Sequence, residues 1–171
     1  ELIVYTYGRY GDVDWNMTSG EGILIRQTGA DAIKYINEEL TKMEAKFFKV
    51  GDVSAANIKN IIDGVYNAGT ASKDTDAKGV VIDKYSLFSS NCSTHSCDWL
   101  IGAGTEIFDE STLGIEYQED FVIPSSLQDY LTGEAKEGKK PLTNANEEMK
   151  QIVIEQEAKQ KLQGAGTVAE T

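Results

Sequence analysis

An apolar segment that leads directly into a helix is the sequence feature that most constrains this chain. Residues 79–104 read GVVIDKYSLFSSNCSTHSCDWLIGAG. Residues 80–88 are mostly β-branched, aromatic or aliphatic and contain no glycine or proline, so they predict a largely buried strand. Residues 89–91 are of types that cap helices, and residues 92–101 fit a helix of nearly three turns. The pattern therefore predicts that Cys92 lies in the first turn of a helix that follows a strand.

Cys92 is the candidate nucleophile. At a helix N-terminus the unpaired N–H groups and the positive end of the helix dipole favour the thiolate, which is the attacking form of cysteine. Nucleophilic catalysis also needs a base within hydrogen-bond reach. His95 is the only histidine, and it lies one turn further along the same helix. The sequence therefore predicts Cys92 as nucleophile and His95 as its candidate base. The alternative is that Cys92 is a small buried hydrophobic residue and His95 a structural one.

The second cysteine, Cys97, invites two other interpretations. Residues five apart in a helix have Cα atoms separated by about 8.5 Å, beyond the ~7 Å that a disulfide spans, so Cys92 and Cys97 should both be free. A structural zinc site needs four ligands, whereas the chain holds two cysteines and one histidine, so a carboxylate such as Asp98 would have to complete the set. We therefore expect Cys97 to be a core residue, and we expect no metal and no cofactor.

The charge of the chain limits its partners. Sixteen basic residues against 28 acidic ones give a net charge of −12. Such a charge repels phosphate backbones and anionic lipid, so we expect no nucleic-acid partner. No apolar run approaches the ~18 residues of a membrane helix, so we expect no membrane span. Because the chain begins at Glu1 and not at a methionine, we expect a processed or excised piece of a longer product.

The order of the elements predicts an α+β fold with a mostly antiparallel sheet and helices packed on its faces. Strands are expected at residues 2–7, 22–26 and 45–50. A glycine-flanked turn at residues 8–11 should separate the first strand from a surface loop at residues 12–22. Two helices with apolar faces are expected, the first beginning at Thr28 or Asp31 and the second at Ser54.

Beyond the Cys92 helix, the pattern weakens to short elements. We predict a main α+β domain over residues 1–131, a linker over 132–143 with the glycine, proline and charge typical of linkers, and a C-terminal helix and tail over 144–171. This amphipathic helix carries its apolar residues on one side, so it should pack back on the domain. The alternative is that it docks a partner.

Several segments resemble known protein families. The segment VIDKYSLFSSNCSTHSCDWL, in which a strand runs into Asn-Cys-Ser at a helix start, resembles the Asn-Cys motif of circularly permuted papain-like hydrolases. These hydrolases include NlpC-type cell-wall amidases and lecithin:retinol acyltransferase-like enzymes. The segments YTYGRYG, GEGILIRQTGADAIKYI and FVIPSSLQDYL are similar to C-terminal domains of Rhs-type polymorphic toxins and related secreted proteins of Bacteroidetes. The similarity covers residues 2–131.

This resemblance implies an exported bacterial cysteine hydrolase with a papain-like fold, acting in the extracellular space or periplasm. Its substrate would be a peptide, peptidoglycan or an acyl ester, and a toxin domain would have a cognate immunity protein. Cys92 would be the nucleophile, its own N–H would help to hold the oxyanion, and Asn91 would shape the turn. The alternative is an inactive papain-like scaffold that binds a protein.

The chain departs from the family pattern in one respect. The histidine base of permuted papain-like enzymes comes from a strand that precedes the cysteine, but no histidine precedes Cys92. Three alternatives follow: His95 takes the role, a tyrosine or carboxylate assists, or the domain keeps the fold without the activity. Tyr5, Tyr7, Arg9 and Tyr10 lie at the position of the missing base and, with Trp15, are candidates for lining a binding cleft. The alternative is that the aromatic residues of this first strand belong to the core.

Overall fold

The structure is a computed structural model that describes residues 2–10, 19–73, 78–112 and 115–166. Its strands are β1 (Ile3–Tyr10), β2 (Ser19–Thr28), β3 (Phe48–Val50), β4 (Thr70–Ala71), β5 (Val80–Ser86), β6 (Asp109–Thr112), β7 (Ile115–Gln118) and β8 (Leu142–Asn144). Its helices are α1 (Gly29–Thr41), α2 (Ala55–Ala68), α3 (Cys92–Gly102), α4 (Pro124–Glu137) and α5 (Asn146–Gly166).

The predicted α+β class with an antiparallel sheet is confirmed. The largest sheet of the described chain has the strand order β1-β2-β5-β4. Strand β5 pairs antiparallel with β2 on one side and with β4 on the other. Strands β3 and β8 form a second sheet, and the β6–β7 hairpin a third. Strand β5 therefore lies inside the main sheet, directly before the helix that begins with Cys92.

The predicted strand-to-helix junction is confirmed, although the strand is shorter than expected. Strand β5 ends at Ser86, because the Ser86 N–H turns to donate to the Ser90 carbonyl at 2.8 Å. Leu87 and Phe88 then lie in the turn with 43% and 74% of their surface exposed. The prediction that these two residues belong to a largely buried strand is therefore wrong. They are apolar, but they lie beyond the end of β5 and do not pair with a neighbouring strand of the described chain.

Other element boundaries also differ from the prediction. Strand β1 continues to Tyr10, so Arg9 belongs to a strand and not to a turn. Strand β2 begins at Ser19, inside the segment predicted as a loop, and residues 11–18 of that segment lie outside the described residues. Helix α4 begins at Pro124, which fits because proline is preorganised for the first helical position. The helix runs to Glu137 and covers the first part of the predicted linker.

The chain divides into two compact units, which differ from the predicted domains of residues 1–131 and 144–171. The first consists of Glu1–Val4, Gln27–Lys49 and Asn144–Thr171. Its buried cluster contains Ile33 and Ile36 of α1 and Val153 of α5. The C-terminal helix thus packs on α1 along the apolar side that the sequence indicates. The predicted domain boundaries themselves stay a prediction.

The second unit consists of Tyr5–Arg26 and Val50–Thr143 and contains the junction that carries Cys92. A half-buried lysine, Lys140, forms hydrogen bonds that connect residues 107–110 with Tyr130 of α4. The Lys140 ammonium donates to the carbonyls of Ile107 and Asp109 at 3.0 and 2.9 Å, to the Tyr130 hydroxyl at 2.6 Å and to the Glu110 carboxylate. Burial lowers the pKa of Lys140, but the bonds with Glu110 and Tyr130 outweigh it and raise that pKa above its usual value.

We expect Lys140→Ala to lower the free energy of unfolding by about 2–3 kcal/mol, because it removes the cation paired with the Glu110 carboxylate and one hydrogen-bond donor from each of the Ile107 and Asp109 carbonyls. Lys139→Ala is the matched control, since Lys139 is 79% exposed and pairs only at the surface with Glu137, and it should cost under about 1 kcal/mol. Urea unfolding followed by circular dichroism measures both values. Equal losses in the two variants would contradict this role of Lys140.

Candidate functional site

The site lies on one face of the main sheet, where side chains of β1 and β5 contact each other over β2, the strand between them. The Tyr7 hydroxyl on β1 donates a hydrogen bond of 2.6 Å to Asp83 Oδ1 on β5. Gly22 of β2 is the register partner of Asp83. A Cβ at Gly22 would overlap both Asp83 Oδ1 and the Tyr7 hydroxyl. Only glycine at this position lets side chains of β1 and β5 contact each other over β2, which lies between them.

The Asp83 carboxylate is the centre of the hydrogen-bond network. Besides the Tyr7 hydroxyl, it accepts a bond from the Ser90 hydroxyl, and its Oδ2 lies 2.8 Å from His95 Nε2. Burial acts to raise the pKa of Asp83, but the bonds from Ser90, Tyr7 and His95 outweigh it and hold the pKa below its usual value. Asp83 is therefore ionised at neutral pH and acts as an acceptor only.

His95 is fixed by its neighbours on three sides. Its ring meets the Tyr7 ring edge-on at 4.4 Å between centroids and stacks on Trp99 at 5.2 Å. Because Asp83 can only accept, we assign the proton of the neutral ring to Nε2. No hydrogen bond to Nδ1 is found among the described residues. Nδ1 is then the nitrogen that is available to take a proton from another group.

Cys92 is the first residue of α3, as predicted, and its side chain is partly exposed. Asn91 caps the helix: its Oδ1 accepts from the N–H groups of Ser93 and Thr94 at 2.9 and 3.2 Å. The His95 N–H donates to the Asn91 carbonyl. Within the described chain, the Cys92 N–H is thus the one N–H of this first turn without a partner. It can serve as a donor to an oxygen placed beside the Cys92 sulfur.

Asn91 also holds the turn in place, as the sequence predicts. The side chain is fully buried, and its Nδ2 donates to the carbonyls of Leu87 and Val122 at 2.8 and 2.9 Å. All hydrogen-bonding capacity of the amide is thereby used inside the protein. The position of Cys92 consequently depends on Asn91.

The thiol and the imidazole are neighbours on α3 but are not bonded to each other. Residues at this spacing have Cβ atoms about 5–6 Å apart. In the described part of the chain, no hydrogen bond joins Cys92 Sγ to a ring nitrogen of His95. Catalytic hydrogen bonds are often formed only when substrate is bound, so this geometry is compatible with either a base or a structural histidine.

Cys97 is the core residue that the sequence predicts. It is 3% exposed, and burial, with smaller contributions from Asp98 and Asp120, raises the pKa of its thiol to about 12. Both cysteines are free, which confirms that they do not form a disulfide. Cys92 is therefore the only one of the two that an external reagent can reach in the folded protein.

Arg9 and Tyr85 extend the site beyond Cys92. Arg9 lies two residues after Tyr7 and hence on the same face of β1, and Tyr85 lies two residues after Asp83 on β5. Tyr85 stacks on Tyr7 at 5.9 Å. Burial raises the pKa of Tyr85, the thiolate form of Cys92 acts in the same direction, and the Arg9 guanidinium partly offsets both. The Arg9 Nη1 atom is buried without a hydrogen-bond partner, which costs about 1–3 kcal/mol.

The remaining candidates give fewer observations. Tyr10 ends β1, and its side chain lies outside the described residues. Tyr5 donates to Asp63 of α2 at 2.5 Å. Across the described ranges, no group of three His, Cys, Asp or Glu side chains could hold a metal ion. No helix of the described chain is both long enough and apolar enough to cross a membrane.

Four members of the site escaped the sequence analysis: Asp83, Tyr85, Ser90 and Trp99. Asp83 carried a usable signal, because a carboxylate within an apolar strand needs partners. Trp99 follows His95 at the helical spacing of four that brings side chains together. The sequence pattern predicts Tyr85 only as part of a buried strand and Ser90 only as a residue of a type that caps helices. Comparison of the chain with models of protein families, with curated proteins and with solved structures finds no match.

We expect Asn91→Ala to lower the free energy of unfolding by about 2–4 kcal/mol, because it removes the cap and leaves the carbonyls of Leu87 and Val122 without donors. Ser54→Ala is the matched control, since exposed Ser54 caps α2 through one bond of 3.0 Å from the Asn57 N–H, and it should cost about 1 kcal/mol. Chemical denaturation of both variants gives the comparison. A loss for Asn91→Ala no larger than that for Ser54→Ala would rule out that the bonds from Asn91 to Leu87 and Val122 stabilise the protein.

Proposed function

We propose that this protein is a thiol hydrolase that cleaves an ester or amide bond through an acyl-enzyme on Cys92. The observation that carries the proposal is the Asp83–His95 pair beside a cysteine at the first position of a helix. A carboxylate that fixes a histidine next to a nucleophile is the arrangement by which such enzymes activate a thiol.

The chemistry of each step can be assigned to atoms of this site. His95 Nδ1 takes the thiol proton, and the Cys92 sulfur attacks the carbonyl carbon to form a carbon–sulfur bond. The Cys92 N–H donates to the oxyanion. Collapse of this intermediate expels the alcohol or amine, which takes the proton from His95. Water activated by His95 then cleaves the thioester and restores the thiol.

Asp83 has the orienting role in this mechanism. It fixes the His95 tautomer by accepting from Nε2 and stabilises the imidazolium that forms when Nδ1 takes a proton. The bonds from Tyr7 and Ser90 in turn fix the carboxylate. The proposal thus takes His95 as the base in place of the missing upstream histidine, with Asp83 on the preceding strand as its partner.

The finer identity of the fold and its biological setting belong to the same proposal. A papain-like fold, export from a bacterial cell and action as a toxin domain rest on the Asn91-Cys92 motif and the similar segments described above. Peptides, peptidoglycan and acyl esters are the substrates that agree with this resemblance, and a cognate immunity protein is the partner it implies for a toxin.

A second candidate function is a protein-binding domain without activity. It is favoured by the packing of His95 between Tyr7 and Trp99 and by the missing bond to Cys92 in the described structure. In that case His95 holds the sheet and α3 together, and the thiol is an ordinary surface group.

Alkylation with iodoacetamide distinguishes the two functions. We expect Cys92 to react at pH 7 at least about tenfold faster than the same residue in the unfolded protein, because the helix N-terminus and His95 favour the thiolate. Cys97→Ser should leave this rate unchanged, since Cys97 is buried. Mass spectrometry of the modified protein identifies the site. A Cys92 that reacts no faster than an unfolded cysteine would exclude the nucleophile.

The Asp83–His95 pair is tested by hydrolysis of 4-nitrophenyl acetate and digestion of peptidoglycan. We expect Cys92→Ala to abolish activity, and His95→Ala and Asp83→Asn to lower kcat by about 10²-fold or more. Thr105→Ser, a substitution within the same unit but outside the site, controls for general effects. Full activity of folded His95→Ala would remove His95 from the mechanism and leave the base unidentified.

A further inference from the structure

The Arg9 side chain has a buried hydrogen-bond donor that is not paired in the described part of the chain. Its Nη1 atom is buried and has no partner, and no ion pair or hydrogen bond of Arg9 is found within the described chain. Arg9 as a whole is only partly buried. A buried N–H of a guanidinium is normally paired, because removing a charged donor from water without an acceptor is unfavourable. A planar guanidinium matches the two oxygens of a carboxylate, to which it donates in parallel.

The sheet places this guanidinium next to the catalytic candidates. Strands β1 and β2 are neighbours, and the eight residues between them are too few for the crossover of about a dozen residues that a parallel pair needs. Strands β1 and β5 therefore run in the same direction on either side of β2. A step of two residues from Tyr7 to Arg9 matches the step from Asp83 to Tyr85, so Arg9 lies in the row of Tyr85.

The middle position of this second row is also a glycine. Gly20 is the register partner of Tyr85, as Gly22 is of Asp83. The two rows, Tyr7–Gly22–Asp83 and Arg9–Gly20–Tyr85, thus leave β2 without side chains between the outer strands. The first row is filled by the Tyr7–Asp83 hydrogen bond. The second row ends in an unpartnered donor beside the tyrosine on which both Arg9 and Cys92 act electrostatically.

We propose that Arg9 and Tyr85 form a carboxylate-binding subsite beside Cys92, so that the substrate is an acyl compound carrying a carboxylate near the bond that is cleaved. Arg9 binds the carboxylate and thereby places the carbonyl carbon against the Cys92 sulfur. The substrate class rests on the proposed function, because it assumes that Cys92 attacks the carbonyl. The anion site itself does not.

A pair of alkylating reagents tests the position of Arg9 relative to Cys92. Iodoacetate and iodoacetamide transfer similar groups, but only iodoacetate is an anion. We expect the ratio of their rates at Cys92 to fall about tenfold in Arg9→Gln and to be largely kept in Arg9→Lys. Arg26→Gln is the matched control, since Arg26 pairs with Asp63 at 3.3 Å away from this row. An equal ratio in the parent and Arg9→Gln would show that Arg9 does not serve Cys92.

Succinate binding tests the anion site without the thiol. His95 is the only histidine, so its ring-proton NMR signals are unambiguous, and its ring lies against Tyr7 in the adjoining row. At constant ionic strength we expect succinate to shift these signals with saturation in the parent, in Cys92→Ala and in Arg26→Gln, but not in Arg9→Gln. No saturable shift in the parent overturns the subsite. A shift combined with an unreactive Cys92 supports the anion site and excludes the hydrolase.

Discussion

The interaction on which the rest of this structure depends is the acceptance of three hydrogen bonds by the Asp83 carboxylate. A half-buried carboxylate is stable only when donors replace the water it loses, and here the donors come from β1, from the turn before α3 and from α3 itself. The same three bonds therefore solve a problem of burial and fix His95 beside Cys92. Stability and chemical arrangement have one physical cause.

The second constraint is the cap of α3. Asn91 satisfies two N–H groups of the first turn and two carbonyls of neighbouring segments, and it is fully buried. Its bonds account for the N–H groups of Ser93 and Thr94 and leave that of Cys92 for an incoming oxygen. The N–H groups at a helix N-terminus are ordinarily exposed to water, whereas among the described residues α3 has one N–H of its first turn without a partner, and it lies next to a thiol.

The sequence was a good guide wherever the information is local. A capping residue followed by a helical pattern depends on a few consecutive positions, so the beginning of α3, the Ser54 cap of α2 and the burial of Cys97 were predictable. Leu87 and Phe88 show the limit of such reasoning, because composition predicts an apolar strand but does not say where its pairing stops. The start of β2 within a polar segment was missed for the same reason.

The sequence by itself determined that a cysteine begins a helix directly after a strand and that the only histidine follows one turn later. Tertiary structure decided what these residues meet. Tyr7 and Asp83 are 76 positions apart, and their contact depends on the strand order and on a glycine between them. Arg9 and Tyr85 lie in the next row for the same reason. Such contacts have no local signal, since they arise only when distant strands share a sheet.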